Sequence, residues 1–337
     1  MQDVLKKQVW IPVAILLLVA LCVLVPDGKI LQAAQNALFA RSELPEFTFA
    51  VQPYGAFLAG GALAAFLVSL WLCRREVKAA DGIRFFALSL CFGLVFARVL
   101  YCVTETAYYN ETWAERLAFL RIQDGGMLMT GAMLGMLLAG VIVKPAKKMI
   151  PFAFPVFVCF ERIGELFTQL GIGPKVSFLN FLSRKASKYV INLNLNLVEA
   201  LAAVLLLAAV LAFRKQRGIP FMLFLYGSVQ VLMESLRQDR HVMWGFVKFQ
   251  QIAVIVTALL CLTAAARTRK GALKALALTL PAAGILIALE FALDKTDIQD
   301  WIIYAVYIAV LGAYIWLGLR MFFKVRDNDA ETMVQAG

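Results

Sequence analysis

Apolar residues run along this chain in long stretches, broken by short clusters of proline, glycine and charge. Ten stretches stand out, at roughly 8–26, 54–73, 82–107, 125–143, 150–172, 194–213, 219–237, 247–266, 272–293 and 300–320. Each is close to the ~20 residues that a helix needs to cross the ~30 Å hydrocarbon layer of a bilayer. The pattern predicts an all-α polytopic membrane protein. No segment repeats at a fixed period.

Composition sharpens that picture. The 337 residues are 62% apolar and 16% charged, with a formal net charge of +11, and the mean hydropathy is +0.78. A pair of soluble domains is excluded. The positive charge falls in short clusters between the apolar stretches, where it reads as a topology signal and not as a nucleic-acid surface. Six cysteines lie in or beside apolar stretches without a CxxC pair, and His241 is the sole histidine. No disulfide framework, metal site or cofactor site is therefore read. The first stretch follows Lys6 and Lys7 and resembles a signal peptide, but its long apolar core predicts an uncleaved anchor.

An even number of spans puts both termini on one side. With that side inside, the inner segments hold nineteen of the 33 basic residues, the outer segments hold twelve, and Arg98 and Arg162 lie within spans. The bias predicts a multi-pass protein of the cell membrane with cytoplasmic termini.

Polar residues inside the spans then acquire a depth. Arg98, Tyr101 and Glu105 share one face of the third span, and Arg162, Glu165 and Gln169 repeat that spacing in the fifth. Glu199 lies in the sixth, Tyr226, Gln230 and Glu234 form a stripe on the seventh with Arg237 beyond them, and Gln250 and Gln251 open the eighth. Spacings of three and four residues place each set on one helix face. All fall between mid-membrane and the outer surface. Ionisable groups at that depth mark a wet cavity or pair with one another. Ion pairs such as Arg98 with Glu105 or Arg162 with Glu234 are the structural reading, and a pocket opening to the outer leaflet is the functional one. Gly125 and Gly126, at the outer start of the fourth span, suit either close approach of a lipid headgroup or tight helix packing.

Several segments, taken in order, resemble the bacterial prolipoprotein diacylglyceryl transferases. "LPEFTFAVQPYG" ends in Tyr54-Gly55 as the family's first core helix begins, and "FARVLY" is similar to its Gly-Gly-Arg-x-x-Tyr element. "LRIQDGGMLMTGAMLG" resembles Gly-Gly-Met-Ser-Phe-His-Gly-Gly, and "ERIGE" resembles Gly-Arg-x-Gly-Asn. "NLNLVEA" keeps Glu199, "LYGSVQVLMESLRQD" keeps Tyr226, Glu234 and Arg237 of a Tyr-Gly-x-x-Arg-x-x-x-Glu-x-x-Arg pattern, and "KFQQI" keeps Gln251. The resemblance covers about 45–267 and implies a seven-helix core. Residues 1–44 then supply an extra N-terminal helix and an outer linker, 268–323 two extra C-terminal helices, and 324–337 a cytoplasmic tail.

The implied reaction moves a diacylglyceryl group from phosphatidylglycerol to the lipobox cysteine of an exported prolipoprotein, with glycerol phosphate leaving. The partners it implies are phosphatidylglycerol or a related phospholipid, the prolipoprotein signal peptide and the bilayer, with no nucleic acid and no cofactor. Arg162 is the expected phosphate anchor, because a guanidinium fork binds phosphate bidentately. Arg98, Tyr101, Tyr54, Gly125, Gly126, Glu199, Arg237 and Gln251 are the other expected substrate-binding residues, and Glu165, Glu234 and Tyr226 the expected catalytic ones. The chain departs from the family where chemistry is concentrated. Thr130 stands in place of the proposed catalytic histidine, Glu165 replaces an asparagine, Leu193 a second histidine, and Gln230 an arginine. Glu165 is the expected substitute proton acceptor. A non-catalytic relative that binds a lipid or a lipidated protein is the alternative, and a lipid transporter, which Glu290 and the extra spans would suit, is the third.

Overall fold

The computed structural model describes residues 53–104, 127–168, 170–176, 182–185, 190–213, 218–238, 243–244, 247–266, 268–296 and 298–335. The first expected span, Gly125, Gly126, Glu105, Gln169 and His241 lie outside the described residues. Helices dominate what is described, and seven are long and apolar enough to cross a membrane. The chain is a multi-pass membrane protein. It divides into two compact units at Gln169 and Leu170.

The first unit holds α1 (Pro53–Cys73), α2 (Ala79–Thr104), α3 (Met129–Ile142) and α4 (Ile150–Gly164). Helix α1 is apolar on all sides, as a lipid-embedded helix must be, and starts on proline, whose fixed φ suits the first helical position. It stops at the Arg74-Arg75 turn, where the Glu76 and Val77 amides donate to the Cys73 carbonyl at 2.8 and 2.9 Å. Helices α3 and α4, of 14 and 15 residues, span only about 22 Å each. Short 3-10 segments at Lys144–Met149 and Glu165–Phe167 flank α4.

Two helix pairs carry the packing, α2 with α3 and α1 with α4. The first is a backbone-to-backbone contact. A Cβ added to Gly131 would stand 2.5 Å from Ala97 Cα, and one added to Gly135 would stand 2.5 Å from the Phe92 carbonyl oxygen. In an apolar solvent, helices associate through such close approach and not through hydrophobic driving force. The Leu128 amide also donates to the Ala97 carbonyl at 3.2 Å. At the opposite end, Lys148 Nζ meets Glu76 Oε2 at 2.8 Å and Cys73 Sγ reaches the Lys148 carbonyl. The four helices thus alternate in direction. The exposed bases Arg74, Arg75, Lys78, Lys144, Lys147 and Lys148 gather at one end, and Tyr54, Arg98 and Arg162 belong to the other.

The second unit holds α5 (Leu195–Ala212), α6 (Ile219–Leu236), α7 (Phe249–Ala266), α8 (Arg269–Lys295) and α9 (Asp300–Gln335). Before α5 comes a small antiparallel sheet in the order β1 (Ile172–Lys175), β3 (Ile191–Asn194), β2 (Ser183–Lys185). A second hairpin pairs β4 (Met243–Trp244) with β5 (Val247–Lys248). The core of the unit forms where Val231 of α6, Val254 of α7, Leu286 of α8, and Tyr307 and Leu311 of α9 meet. Helix α8 leaves Leu273, Leu280 and Ile285 exposed, as a lipid-facing helix does.

Two boundaries differ from the pattern of apolarity. The fifth span, expected to reach 172, ends at Phe167, because Gly171 takes φ +75° and the chain turns into β1. A Cβ there would overlap the Asn196 amide, so only glycine serves. The sheet itself was not legible, since its strands are three or four residues long. Helix α9 runs on to Gln335, through the region expected to be a tail.

Gly135→Val should destabilise the first unit by about 1–3 kcal/mol or more, since the new methyls meet backbone that cannot yield. Thermal unfolding in detergent checks it, and a melting temperature equal to wild type would contradict the backbone contact.

Candidate functional site

Every buried charged residue among the described ones lies near the end of a helix, and each unit gathers its own set. In the first unit, Arg162 sits in the last turn of α4, where the negative end of the helix dipole favours a cation. It is 5% exposed, with Glu161 at 7% and Glu165 at 6%. Arg162 Nη1 donates to Glu165 Oε2 at 2.7 Å, and its Nε lies 3.1 Å from Glu161 Oε2. One guanidinium therefore stands between two carboxyl groups of its own helical segment. The sequence left that guanidinium open for an anion. In the folded chain its neighbours engage it.

Tyr54, in the first turn of α1, faces this trio electrostatically. Gly164 makes the approach possible: a Cβ there would stand 3.3 Å from the Tyr54 ring and 2.8 Å from Phe57 Cβ. Arg98, 3% exposed, stacks over the Tyr101 ring at 5.9 Å on α2, a cation–π contact one turn long. Thr130, in the first turn of α3, is part-buried at the same end.

The second unit brings together the remaining expected residues. Arg237, at the C-terminal cap of α6, donates from Nη2 to both Glu199 oxygens at 2.8 and 2.7 Å. Both are almost fully buried, at 4% and 3%. Such a pair gains strength from its low-dielectric surroundings but repays a large desolvation penalty, so its main effect is to fix α5 against α6. Glu234, 1% exposed, accepts from Gln230 Nε2 at 3.0 Å on one oxygen. Its other oxygen has no hydrogen-bond partner among the described residues. Tyr226 lies two turns earlier on the same stripe and is half-buried.

Gln251, 2% exposed, is held from two sides. Its Oε1 accepts from the Lys248 amide at 3.0 Å, and its Nε2 donates to Glu290 Oε1 at 2.6 Å. Lys248 Nζ in turn donates to the carbonyls of Glu234 and Arg237 at the end of α6, where helical carbonyls run short of amide partners. Lys248 and the pairing of Glu161 with Arg162 were not legible as site features. Glu161 adjoins Arg162 in sequence, yet i,i+1 neighbours do not share a helix face. The ion pair needs the folded side-chain geometry.

The chemistry available is that of paired cations and carboxylates in an apolar surround: anion binding at a guanidinium and proton transfer at a carboxylate. Against known families, residues 43–267 match the model of the prolipoprotein diacylglyceryl transferases. The phosphatidylglycerol–prolipoprotein diacylglyceryl transferase of Lactococcus lactis subsp. cremoris (strain MG1363) is 28% identical over 218 residues, covering 56% of this chain and 80% of the relative. That of Lactococcus lactis subsp. lactis (strain IL1403) is 27% identical over the same length and coverage. The enzyme of the same name from Staphylococcus aureus (strain JH9) is 31% identical over 137 residues, 39% of this chain and 44% of the relative. The matched segment takes in all of the buried charges described above, and the chain belongs to the prolipoprotein diacylglyceryl transferase family.

Proposed function

We propose that the protein transfers a diacylglyceryl group from phosphatidylglycerol to the lipobox cysteine of exported prolipoproteins, on the outward side of a bacterial cytoplasmic membrane. The observation that carries this reading is the family match over 43–267, which encloses every buried charged residue among those described. Cytoplasmic termini are part of the proposal. The gathering of six exposed bases at one end of the first unit, opposite Tyr54 and Arg162, supports that orientation.

In the proposed reaction the cysteine sulfur attacks the glyceryl carbon that bears the phosphate ester. A carbon–sulfur bond forms, the carbon–oxygen bond breaks, and the electron pair leaves with glycerol phosphate. The thiol proton has to go to a base. Arg162 is assigned to the phosphate and Glu165 to the proton, and their 2.7 Å contact couples the two roles. When Glu165 receives the proton it loses the charge that holds Nη1, and the guanidinium is released toward the leaving phosphate as negative charge builds there. Tyr54, which faces the same groups, is assigned to the headgroup. Arg98 with Tyr101, and Arg237 with Glu199, Gln251 and the Tyr226–Glu234 stripe, are assigned to substrate binding and positioning. Gly125 and Gly126 keep their proposed place at the headgroup.

A second reading has its own support. Thr130 in the histidine position, and a guanidinium already bracketed by two carboxyl groups, fit a relative that binds lipid without transferring it.

Purified protein with phosphatidylglycerol and a lipobox peptide separates the two, read by peptide mass and glycerol phosphate release. Transfer supports the first reading, and bound lipid without product supports the second. Glu165→Gln should lower kcat by about 100-fold or more, the usual contribution of a general base. A loss in Glu234→Gln with Glu165→Gln active would move the proton to Glu234, whose second oxygen is open. Arg162→Lys, which keeps the charge and removes the fork, should cost about 2–4 kcal/mol of transition-state stabilisation. Unchanged kcat/KM in that variant would remove Arg162 from the phosphate.

A further inference from the structure

The family match stops at residue 267, so α8 and α9 lie beyond it and nothing in the match accounts for them. Thr279 of α8 meets the Tyr314 hydroxyl of α9 at 3.1 Å, and the pair's hydrogen bonds to the matched segment converge on one place. Glu290, near the C-terminal end of α8, accepts from Gln251 Nε2 at 2.6 Å and from the Tyr307 hydroxyl at 3.2 Å, both on Oε1. Tyr307, on α9, is fully buried, and its hydroxyl also lies 3.5 Å from the Val231 carbonyl of α6. A hydroxyl has one proton to give, and the shorter contact to a carboxylate takes it. One turn earlier, the Tyr304 hydroxyl reaches the Ser235 carbonyl at 3.4 Å.

This arrangement fixes the Gln251 amide in one orientation. A carboxylate oxygen can only accept, so the amide nitrogen must face Glu290, and an N–H can only donate, so the amide oxygen must face Lys248. The Lys248 ammonium then closes the last carbonyls of α6, from Glu234 and Arg237. A continuous line therefore runs from Tyr307 through Glu290, Gln251 and Lys248 to the turn that presents Glu234 and Arg237.

We infer that the α8–α9 pair is a clamp on the C-terminal turn of α6, with Glu290 as the positioning residue that holds Gln251 and, through Lys248, the Glu234–Arg237 turn. Glu290 is no ion-pathway carboxylate in this scheme. It touches protein groups that belong to the family segment, and it acts through them. The consequence for activity rests on the function proposed above. The consequence for the α6 turn does not.

The test compares Glu290→Ala, Glu290→Gln and Tyr307→Phe with Leu280→Ala, a control on the exposed face of α8. Hydrogen exchange is read at the Lys248 and Arg237 amides, and KM for phosphatidylglycerol and kcat are read on the same full-length preparations. Losing a hydrogen bond to a charged group is worth about a tenfold change. Glu290→Ala should therefore speed exchange at both amides about tenfold and raise KM by a similar factor, with kcat changed less. Glu290→Gln keeps an acceptor and should recover most of both, and Leu280→Ala should match wild type. Exchange at Lys248 and Arg237 as slow in Glu290→Ala as in the control overturns the clamp. So does acceleration spread evenly over the second unit, which marks general destabilisation. A wild-type protein that transfers nothing removes the proposed function and leaves the exchange result to decide the clamp.

Discussion

A charge inside a bundle of apolar helices persists only where another group answers it, because no water is at hand to do so. That constraint shapes both units of this protein. Arg162 lies between Glu161 and Glu165, Arg237 grips Glu199, and Glu234 takes the Gln230 amide. None of these contacts is a surface ornament, since each residue is at least nine-tenths buried. Their position at helix ends is part of the same economy. The last turn of a helix offers a dipole that suits a cation and a set of unpaired carbonyls that a lysine can close.

The two units satisfy the constraint by different means. The first depends on close backbone approach: glycines at 131 and 135 bring α3 onto α2, and Gly164 lets the Arg162 segment lie against the start of α1. No long side chain intervenes, so the charged trio is held by rigid backbone. The second depends on a polar line that crosses α6, α7, α8 and α9 through Lys248, Gln251, Glu290 and Tyr307. For the proposed function the important feature is that the guanidinium of Arg162 meets two carboxyl groups of its own segment. On the function proposed above, an anionic headgroup exchanges with a carboxylate there, and proton uptake by Glu165 permits the exchange. In that proposal, binding and proton transfer are one coupled step.

Membership in the prolipoprotein diacylglyceryl transferase family rests on the match over residues 43–267, and the proposed site includes Thr130 where the resemblance implies a histidine. Two carboxyl groups meet the one guanidinium of the Arg162 cluster, which suits the proposed role of Glu165 as proton acceptor.

Long apolar runs were enough to place helices α1, α2 and α5 to α9, because the bilayer demands about twenty apolar residues wherever a helix crosses, whatever it packs against. The order of short segments from Tyr54 to Gln251 was enough to reach the family, and spacings of three and four placed the Tyr226–Glu234 stripe on one face. Helix ends were less legible, since apolar residues resume at Leu170 and Ile172 beyond the point where Thr168 leaves helical geometry. The strands of 172–194 escaped because pairing at that length comes from the neighbouring strand and not from the residues themselves. Which carboxylate answers which arginine, and that α8 and α9 close on Gln251, lay wholly with the folded chain. A periodicity says which residues share a face; only packing says what that face meets.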